Sequence, residues 1–420
     1  MYGLFIFLVF VWSMAPGRAE SGAAAPPTEA FSSLPRIASI QLSPSGRHLA
    51  VLRHHEGKTS LETQTLTGEE SHRAVITDDQ ESLITWFRWV NDERLLVSIQ
   101  FAATRDTIDS VETRLMAVNR DGTQQTPNLF KQAPFLSIFG KKHFPQMQDR
   151  IVGLIPGDSR HVLIALDLER QYSPDVYKVD VYSGERQSVQ VNPGLQPGPH
   201  TISQWIADGQ GHVRAGAGQF QTMVHVIVKQ PESSLWRDLA QYDLAKETGL
   251  VPLGFDADPA WLYVRDQHQG KAAIFKLNVV DRRVDRILVA ADAKHDLTGE
   301  LVYAPGRKKV VGVRYSAADE RVLFWDFDAQ RLQARIDRAI SGRVNVIHSS
   351  SDDGRLHIVK SSSAAHPPQW SLFDEQDGRM LVLGKSYPDL EGTVLVTSRE
   401  TFLTGRDGKE FSAFLTVPND

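Results

Sequence analysis

The sequence predicts an all-β fold, a β-propeller of about seven blades, and three observations carry that expectation. A β-prone run, a polar turn and a second β-prone run recur seven times along the chain. The recurrences are spaced by roughly 43 to 51 residues, with one longer step of about 67, the period expected of four-stranded blades. A further strand and turn follow most of these hairpins, so the repeating unit is a double hairpin rather than a single one.

The first unit, "IQLSPSGRHLAVLR" from Ile40 to Arg53, reads as strand, tight turn, strand, and "LTG" at Leu66 closes it. The next hairpins are "ITWFRWVNDERLLVSIQF" from Ile84, "RIVGLIPGDSRHVLIALDL" from Arg150 and "TISQWIADGQGHVRAGAGQF" from Thr201. Then come "LVPLGFDADPAWLYVRD" from Leu250, "ELVYAPGRKKVVGVRYS" from Glu300 and "VNVIHSSSDDGRLHIVKSSS" from Val344. Third strands with another turn follow at Thr113, Val176, Ala273, Val322 ("VLFWDFDAQRLQ") and Gln369. Asp-Gly and Ser-Gly dipeptides at these turns supply the positive φ that tight hairpins demand. Alternation of Val176, Lys178 and Asp180 with Tyr177, Val179 and Val181 suits a strand with its two faces differently packed. The fourth unit fits least well, because Gly-rich "RAGAGQF" stands where an apolar strand is expected. A β-sandwich pair also gives short, evenly spaced strands, but seldom this two-hairpin period. A lone sheet of this size cannot bury both faces, whereas stacking around a central channel hides each face against the next. The blades are expected between about Ile37 and Leu390, within a propeller domain spanning 34–392.

Composition excludes several classes of function. The formal net charge is −5, with Lys+Arg 46 against Asp+Glu 51 interspersed, so no basic stripe exists for a nucleic-acid backbone. Cysteine is absent, which removes disulfides, thiolate metal sites and a Cys nucleophile together. "LFIFLVFVW", Leu4 to Trp12, followed by Pro16, Gly17 and Ala19, reads as an export signal over 1–19 with cleavage before Glu20, although no Lys or Arg precedes the run. It is shorter than the roughly 20 residues that span a bilayer, so no stable membrane anchor is expected after cleavage. A periplasmic or secreted location follows, with a flexible leader over 20–33 that includes the Ser/Ala/Pro-rich stretch from Ser21 to Thr28.

After "YPDLEG", Tyr387 to Gly392, the pattern changes to a strand, polar residues and a hairpin turning on Arg406-Asp407-Gly408, ending "LTVP". An isolated hairpin is at best marginally stable in water, so this tail either packs on the propeller or belongs to another domain. The order of export signal, "LPRIASIQLSPSGRHLAVL" opening, seven blades and closing "RDGKEFSAFLTVP" resembles the front part of an exported prolyl-oligopeptidase-type (S9) serine peptidase, the group of dipeptidyl and acylaminoacyl peptidases. "SPSG" differs by one residue from the commoner Ser-Pro-Asp-Gly, a motif shared with TolB-type propellers. The resemblance implies that 393–420 holds the first strands of an α/β-hydrolase domain whose catalytic Ser, Asp and His come later. It implies a noncatalytic, substrate-gating propeller that admits short peptides through its channel or a side opening. The alternative is a self-contained periplasmic propeller of TolB type that binds a protein partner, and a third reading is a propeller enzyme with its site in the central funnel.

The sequence carries no recognisable catalytic or metal-binding motif. No Gly-x-Ser-x-Gly nucleophile elbow occurs, and no helical stretch is expected to carry one, so the chain has no catalytic residue to assign and is expected to be inactive alone by the family's mechanism. Asp256 and Asp258 in "GFDADP" lack the other ligands of a calcium loop and read as a plain turn. His54 and His55 are adjacent on a strand and point to opposite faces, which suits no metal. "GAG", Gly216 to Gly218, lacks a strand-then-helix setting for a dinucleotide and marks a thin or bulged strand. The Ser runs at Ser349 and Ser361 read as exposed strand ends, and Trp86, Trp89, Trp205, Trp261, Trp325 and Trp370 as packing between blades. No cofactor, metal or nucleic acid is expected.

Overall fold

A computed structural model describes residues 28–417, apart from 106, 131–134, 137–141, 195–200, 282–285, 308, 317–318 and 394. The expected export signal, most of the leader and the last three residues lie outside the described residues. Residues 29–32, at the end of the leader, form a short helix, α1 (Glu29–Ser32), with Ala30 buried.

Each of the seven hairpins falls where the sequence places it. Blade 1 is β1 (Ile37–Leu42), β2 (His48–His55), β3 (Lys58–Thr65) and β4 (Ser71–Asp78), hydrogen-bonded in that order. Blade 2 is β5 (Leu83–Trp89), β6 (Arg94–Arg105) and β7 (Ile108–Asn119); β8 (Phe135–Leu136) and β9 (Lys142–His143) then pair only with each other. Blade 3 is β10 (Ile151–Leu154), β11 (His161–Leu166), β12 (Asp175–Asp180) and β13 (Arg186–Gln190). Blade 4 is β14 (Ile202–Ala207), β15 (Val213–Phe220), β16 (Met223–Val228) and β17 (Arg237–Asp243). Blade 5 is β18 (Val251–Phe255), β19 (Trp261–His268), β20 (Lys271–Asn278) and β21 (Ile287–Ala290). Blade 6 has three strands, β22 (Leu301–Tyr303), β23 (Val310–Ser316) and β24 (Glu320–Phe324), and a helix, α2 (Phe327–Ala339), follows them. Blade 7 is β25 (Val344–Ser350), β26 (Leu356–Ser363), β27 (His366–Asp374) and β28 (Arg379–Lys385). The chain ends in a separate hairpin, β29 (Ser398–Thr404) with β30 (Glu410–Thr416).

Apolar side chains fill the gaps between successive blades rather than a single centre. Leu61 of blade 1 packs with Phe87 and Leu95 of blade 2, and Leu115 of blade 2 with Val162 and Ile164 of blade 3. Trp205 of blade 4 joins Leu163 and Val176 of blade 3, while Tyr263 and Ile274 of blade 5 join Val310 and Val313 of blade 6. Each large side chain buried this way contributes roughly 1.5–3 kcal/mol, which is what makes a two-faced sheet stable only beside its neighbours. Arg94 ties blade 2 to blade 3: it is fully buried, and its Nε and NH2 donate to the Val181 carbonyl at 3.1 and 2.7 Å.

Blades 7 and 1 meet without exchanging a strand, since β1–β4 and β25–β28 are each consecutive in the chain. Ile37, Ile40 and Leu42 pack with Ile358 and Trp370. The Arg36 N–H donates to Ser386 O at 2.7 Å, the Ser386 hydroxyl to Ile37 O at 2.7 Å, and the Leu42 N–H to Ser349 Oγ at 2.9 Å. Gly46, in the Ser-Pro-Ser-Gly turn, has φ +75°, and a Cβ there would sit 3.0 Å from Ser351 Cβ, so this turn is shaped to lie against blade 7.

Three expectations need correction. Within the expected all-β fold, "DFDAQRLQ", read from the sequence as a strand end and turn, instead enters the helix α2. Asp326 caps that helix by accepting from the Ala329 N–H at 3.1 Å, and Leu332 and Ile336, four apart, pack on Val359 and Phe373 of blade 7. The Ser runs are not exposed ends: Ser351 and Ser361 are 1% and 0% exposed, because a small hydroxyl side chain fits the narrow seams of the ring. The poorly matching "RAGAGQF" is a regular, largely buried strand, β15, with register shifts opposite it in β14. Its glycines are required by proximity, since a Cβ at Gly218 would lie 1.9 Å from Thr201 O and one at Gly216 2.7 Å from Ile202.

Candidate functional site at the C-terminal hairpin

Strand alternation sorts every turn to one of two faces of the ring. Turns between the first and second and the third and fourth strands of a blade lie on one face. Turns between second and third strands, and the crossovers to the next blade, lie on the other. The last strand, β28, ends on the crossover face, and β29–β30 sits there against blades 5 and 6. Clefts of about 340, 470 and 980 Å³ open on this face. The largest lies between the hairpin and the loops carrying Lys271, Lys294, His295 and Ser316.

His295 makes the polar contact between the two. Its Nε2 lies 3.1 and 3.2 Å from the Glu400 carboxylate oxygens, and its Nδ1 is 3.3 Å from Asp292 Oδ1. Both ring nitrogens thus face carboxylates. Burial opposes the Asp292 charge, yet the N–H groups of Lys294 and His295 and the His295 ring together hold its pKa below the usual carboxylate range. Lys294 Nζ lies 5.3 Å from the Phe402 ring centroid, a second contact to the hairpin.

Cross-strand pairing divides the hairpin into two faces. Glu400 opposite Phe414 and Phe402 opposite Ser412 lie on the face toward the cleft. Leu403 opposite Phe411 and Arg399 opposite Leu415 lie on the other. Leu403, Leu415 and Val417 of this outward stripe are 41–55% exposed, as is Phe411, which also reaches the cleft. Two strands carrying such a stripe leave an apolar layer with nothing packed on it among the described residues.

Residues singled out from the sequence fall elsewhere. Asp256 and Asp258 form a turn, with Asp256 accepting from the Tyr263 hydroxyl at 3.1 Å and Asp258 from the Ala260 N–H at 2.9 Å. His54 turns to Thr59, 2.8 Å away, while His55 faces solvent beside Glu56. Trp86, Trp89, Trp205, Trp325 and Trp370 belong to the packing between blades. Trp261 instead lies partly exposed under Lys276 Nζ, 4.8 Å from its ring centroid. The His295–Glu400 contact was missed, since 105 residues separate its partners and neither lies in a motif.

The chain is 24% identical over 386 residues to dipeptidyl aminopeptidase BIII of Pseudoxanthomonas mexicana, a match covering 91% of this chain and 52% of that protein. The chain is homologous to this dipeptidyl aminopeptidase. The chain spans about half the length of the curated protein it matches. No family model matches the sequence. Solved structures share the fold at low identity. A puromycin-hydrolyzing peptidase of Mycobacterium tuberculosis gives a TM-score of 0.56 at 13% identity, covering 93% of this chain and 60% of that one. A prolyl endopeptidase gives 0.55 at 12%, covering 91% and 54%, and prolyl oligopeptidase B of Galerina marginata 0.54 at 9%, covering 92% and 56%.

Proposed function

We propose that this chain is the noncatalytic, substrate-gating propeller portion of an exported S9-type serine peptidase acting on short peptides, and that β29–β30 is the first hairpin of its α/β-hydrolase domain. The observation that carries the proposal is the outward stripe of Leu403, Leu415 and Val417, a sheet face that calls for a further layer. Homology over 91% of the chain to a dipeptidyl aminopeptidase supports the same reading. In this reading the crossover face meets the hydrolase domain, the His295–Glu400 contact sets where the two join, and the ring excludes folded proteins by size. Selectivity by exclusion needs no single recognition residue, which accords with a sequence in which none stands out.

The reading frame downstream of the Asp420 codon tests the proposal. A continuing frame that encodes Gly-x-Ser-x-Gly, then Asp, then His is expected. A stop codon with no such remnant beyond it would overturn the proposal in favour of a self-contained propeller that binds a protein partner. Export is tested separately, by N-terminal sequencing of the mature protein, for which Glu20 is the expected first residue.

A further inference from the structure

On the ring face opposite the hairpin, blades 6 and 7 and the start of α2 enclose a pocket of about 300 Å³. Its walls are apolar, with Tyr303, Val311, Phe324, Leu332 and Ile347 among them. Ser350, His357 and Glu375 also line it, and they stand in a chain. Ser350, at the end of β25, is the cross-strand partner of His357 on β26, and its Oγ lies 2.8 Å from His357 Nδ1. The other ring nitrogen, Nε2, is 3.6 Å from Glu375 Oε2 and has no closer partner. Glu375, in the turn after β27, is held in turn by Arg335 of α2, whose NH1 lies 3.3 Å from Oε1 and whose NH2 donates to the Glu375 carbonyl at 2.6 Å.

These are elements a nucleophilic serine needs: a hydroxyl with a base within hydrogen-bond reach, and a carboxylate beside the base's other nitrogen. Glu375 beside Nε2 favours the tautomer with its N–H there, which leaves the Nδ1 lone pair to accept the Ser350 hydroxyl. His357 is fully buried, and that burial lowers its proton affinity, so at neutral pH it is an unprotonated base.

We infer that Ser350 is an activated nucleophile that is acylated by small neutral or cationic carboxylic esters, with His357 as the base and Glu375 as a positioning residue. The ester class follows from the pocket. Apolar walls take the acyl group, and Asp326, Asp328, Asp353 and Glu375 against Lys309 at its edge repel an anion. In the step, Ser350 Oγ bonds to the ester carbonyl carbon and gives its proton to His357 Nδ1. The carbon–oxygen bond to the leaving alkoxide breaks, that alkoxide takes the proton from Nδ1 and departs as an alcohol, and Ser350 remains as its acyl ester. No peptide bond is involved, and the site is independent of the S9 reading, since it lies on the other face of the ring.

The test is a small alkyl fluorophosphonate on the full chain, with the labelled peptide located by mass spectrometry. There Ser350 Oγ bonds to phosphorus, fluoride leaves and the proton passes to Nδ1. Label on Ser350 is expected, absent in Ser350→Ala and slowed about 100-fold or more in His357→Gln. In Glu375→Gln the pH profile of labelling is expected to shift while the Ser350→Ala background stays unchanged. Circular dichroism of each variant separates loss of reactivity from loss of fold, and Ser350→Ala removes only one oxygen. Absence of label on Ser350 in the folded wild-type chain, label on another serine only, or an unchanged rate in folded His357→Gln would overturn the inference.

Discussion

The seam between blades 7 and 1 and the junction between the propeller and β29–β30 both join distant parts of the chain, yet they are built differently. The seam buries Ile37, Ile40 and Trp370 at 4%, 2% and 1% exposure, and backbone N–H groups and serine hydroxyls stitch it on both sides. The junction rests on the His295–Glu400 contact and a lysine over Phe402, with a cleft of about 980 Å³ between the two bodies. One contact closes the ring; the other holds a hairpin beside it. The ring can therefore stand without the hairpin, whereas the hairpin has an apolar face still to be covered.

Truncating one large side chain in each region gives the widest separation. Trp370→Ala, in the seam, is expected to lower stability by about 3–5 kcal/mol in denaturant unfolding, because the ring closes around that indole and cannot collapse into the hole. Phe411→Ala, 53% exposed on the hairpin, is expected to change it by less than about 0.5 kcal/mol. Equal losses would erase the distinction.

The seam also carries a pH dependence. His348 lies against Ser39 Oγ at 3.1 Å and edge-on to Trp370, and burial, then Arg314 and Lys360, lower its pKa to about 4. An unfolded histidine titrates near about 6.5, so on acidification the unfolded chain takes this proton first. Stability from this group is complete above about pH 6.5 and is lost as pH falls toward 4, by on the order of 3 kcal/mol. In His348→Gln the slope of stability against pH in that window is expected to flatten. His48, His54 and His357, also lowered chiefly by burial, keep their share of the slope in the variant. An unchanged slope would remove His348 from the account of the seam.

The smallest effect on global stability belongs to the junction. Glu400→Gln removes the charge facing His295 and is expected to leave the unfolding midpoint unchanged while speeding limited proteolysis between Gly392 and Ser398 several-fold. Proteolysis at the wild-type rate would show that another contact holds the hairpin.

The ring was legible in the sequence because its signals are local: Gly46 and the other turn glycines mark the hairpins, and alternation marks the strands between them. The helix α2 was not read from the sequence: "VLFWDF" before it reads as strand and hid the change of period that the Asp326 cap and the four-residue step from Leu332 to Ile336 mark. Ser351 and Ser361 show the limit of composition, since a serine packed in a seam and one in water look alike. The hairpin tail was legible as a separate unit, but its contact with His295 depends on closure of the whole ring. The Ser350–His357–Glu375 chain was hidden similarly, as it joins a strand end, a neighbouring strand and a turn after a third.

Thermal unfolding of the chain with and without residues 393–420 tests most directly whether the ring stands without the hairpin. The two midpoints are expected to agree within about 2 °C, while a drop of about 8 °C or more on deletion would mean that the hairpin is part of the ring and contradict the account.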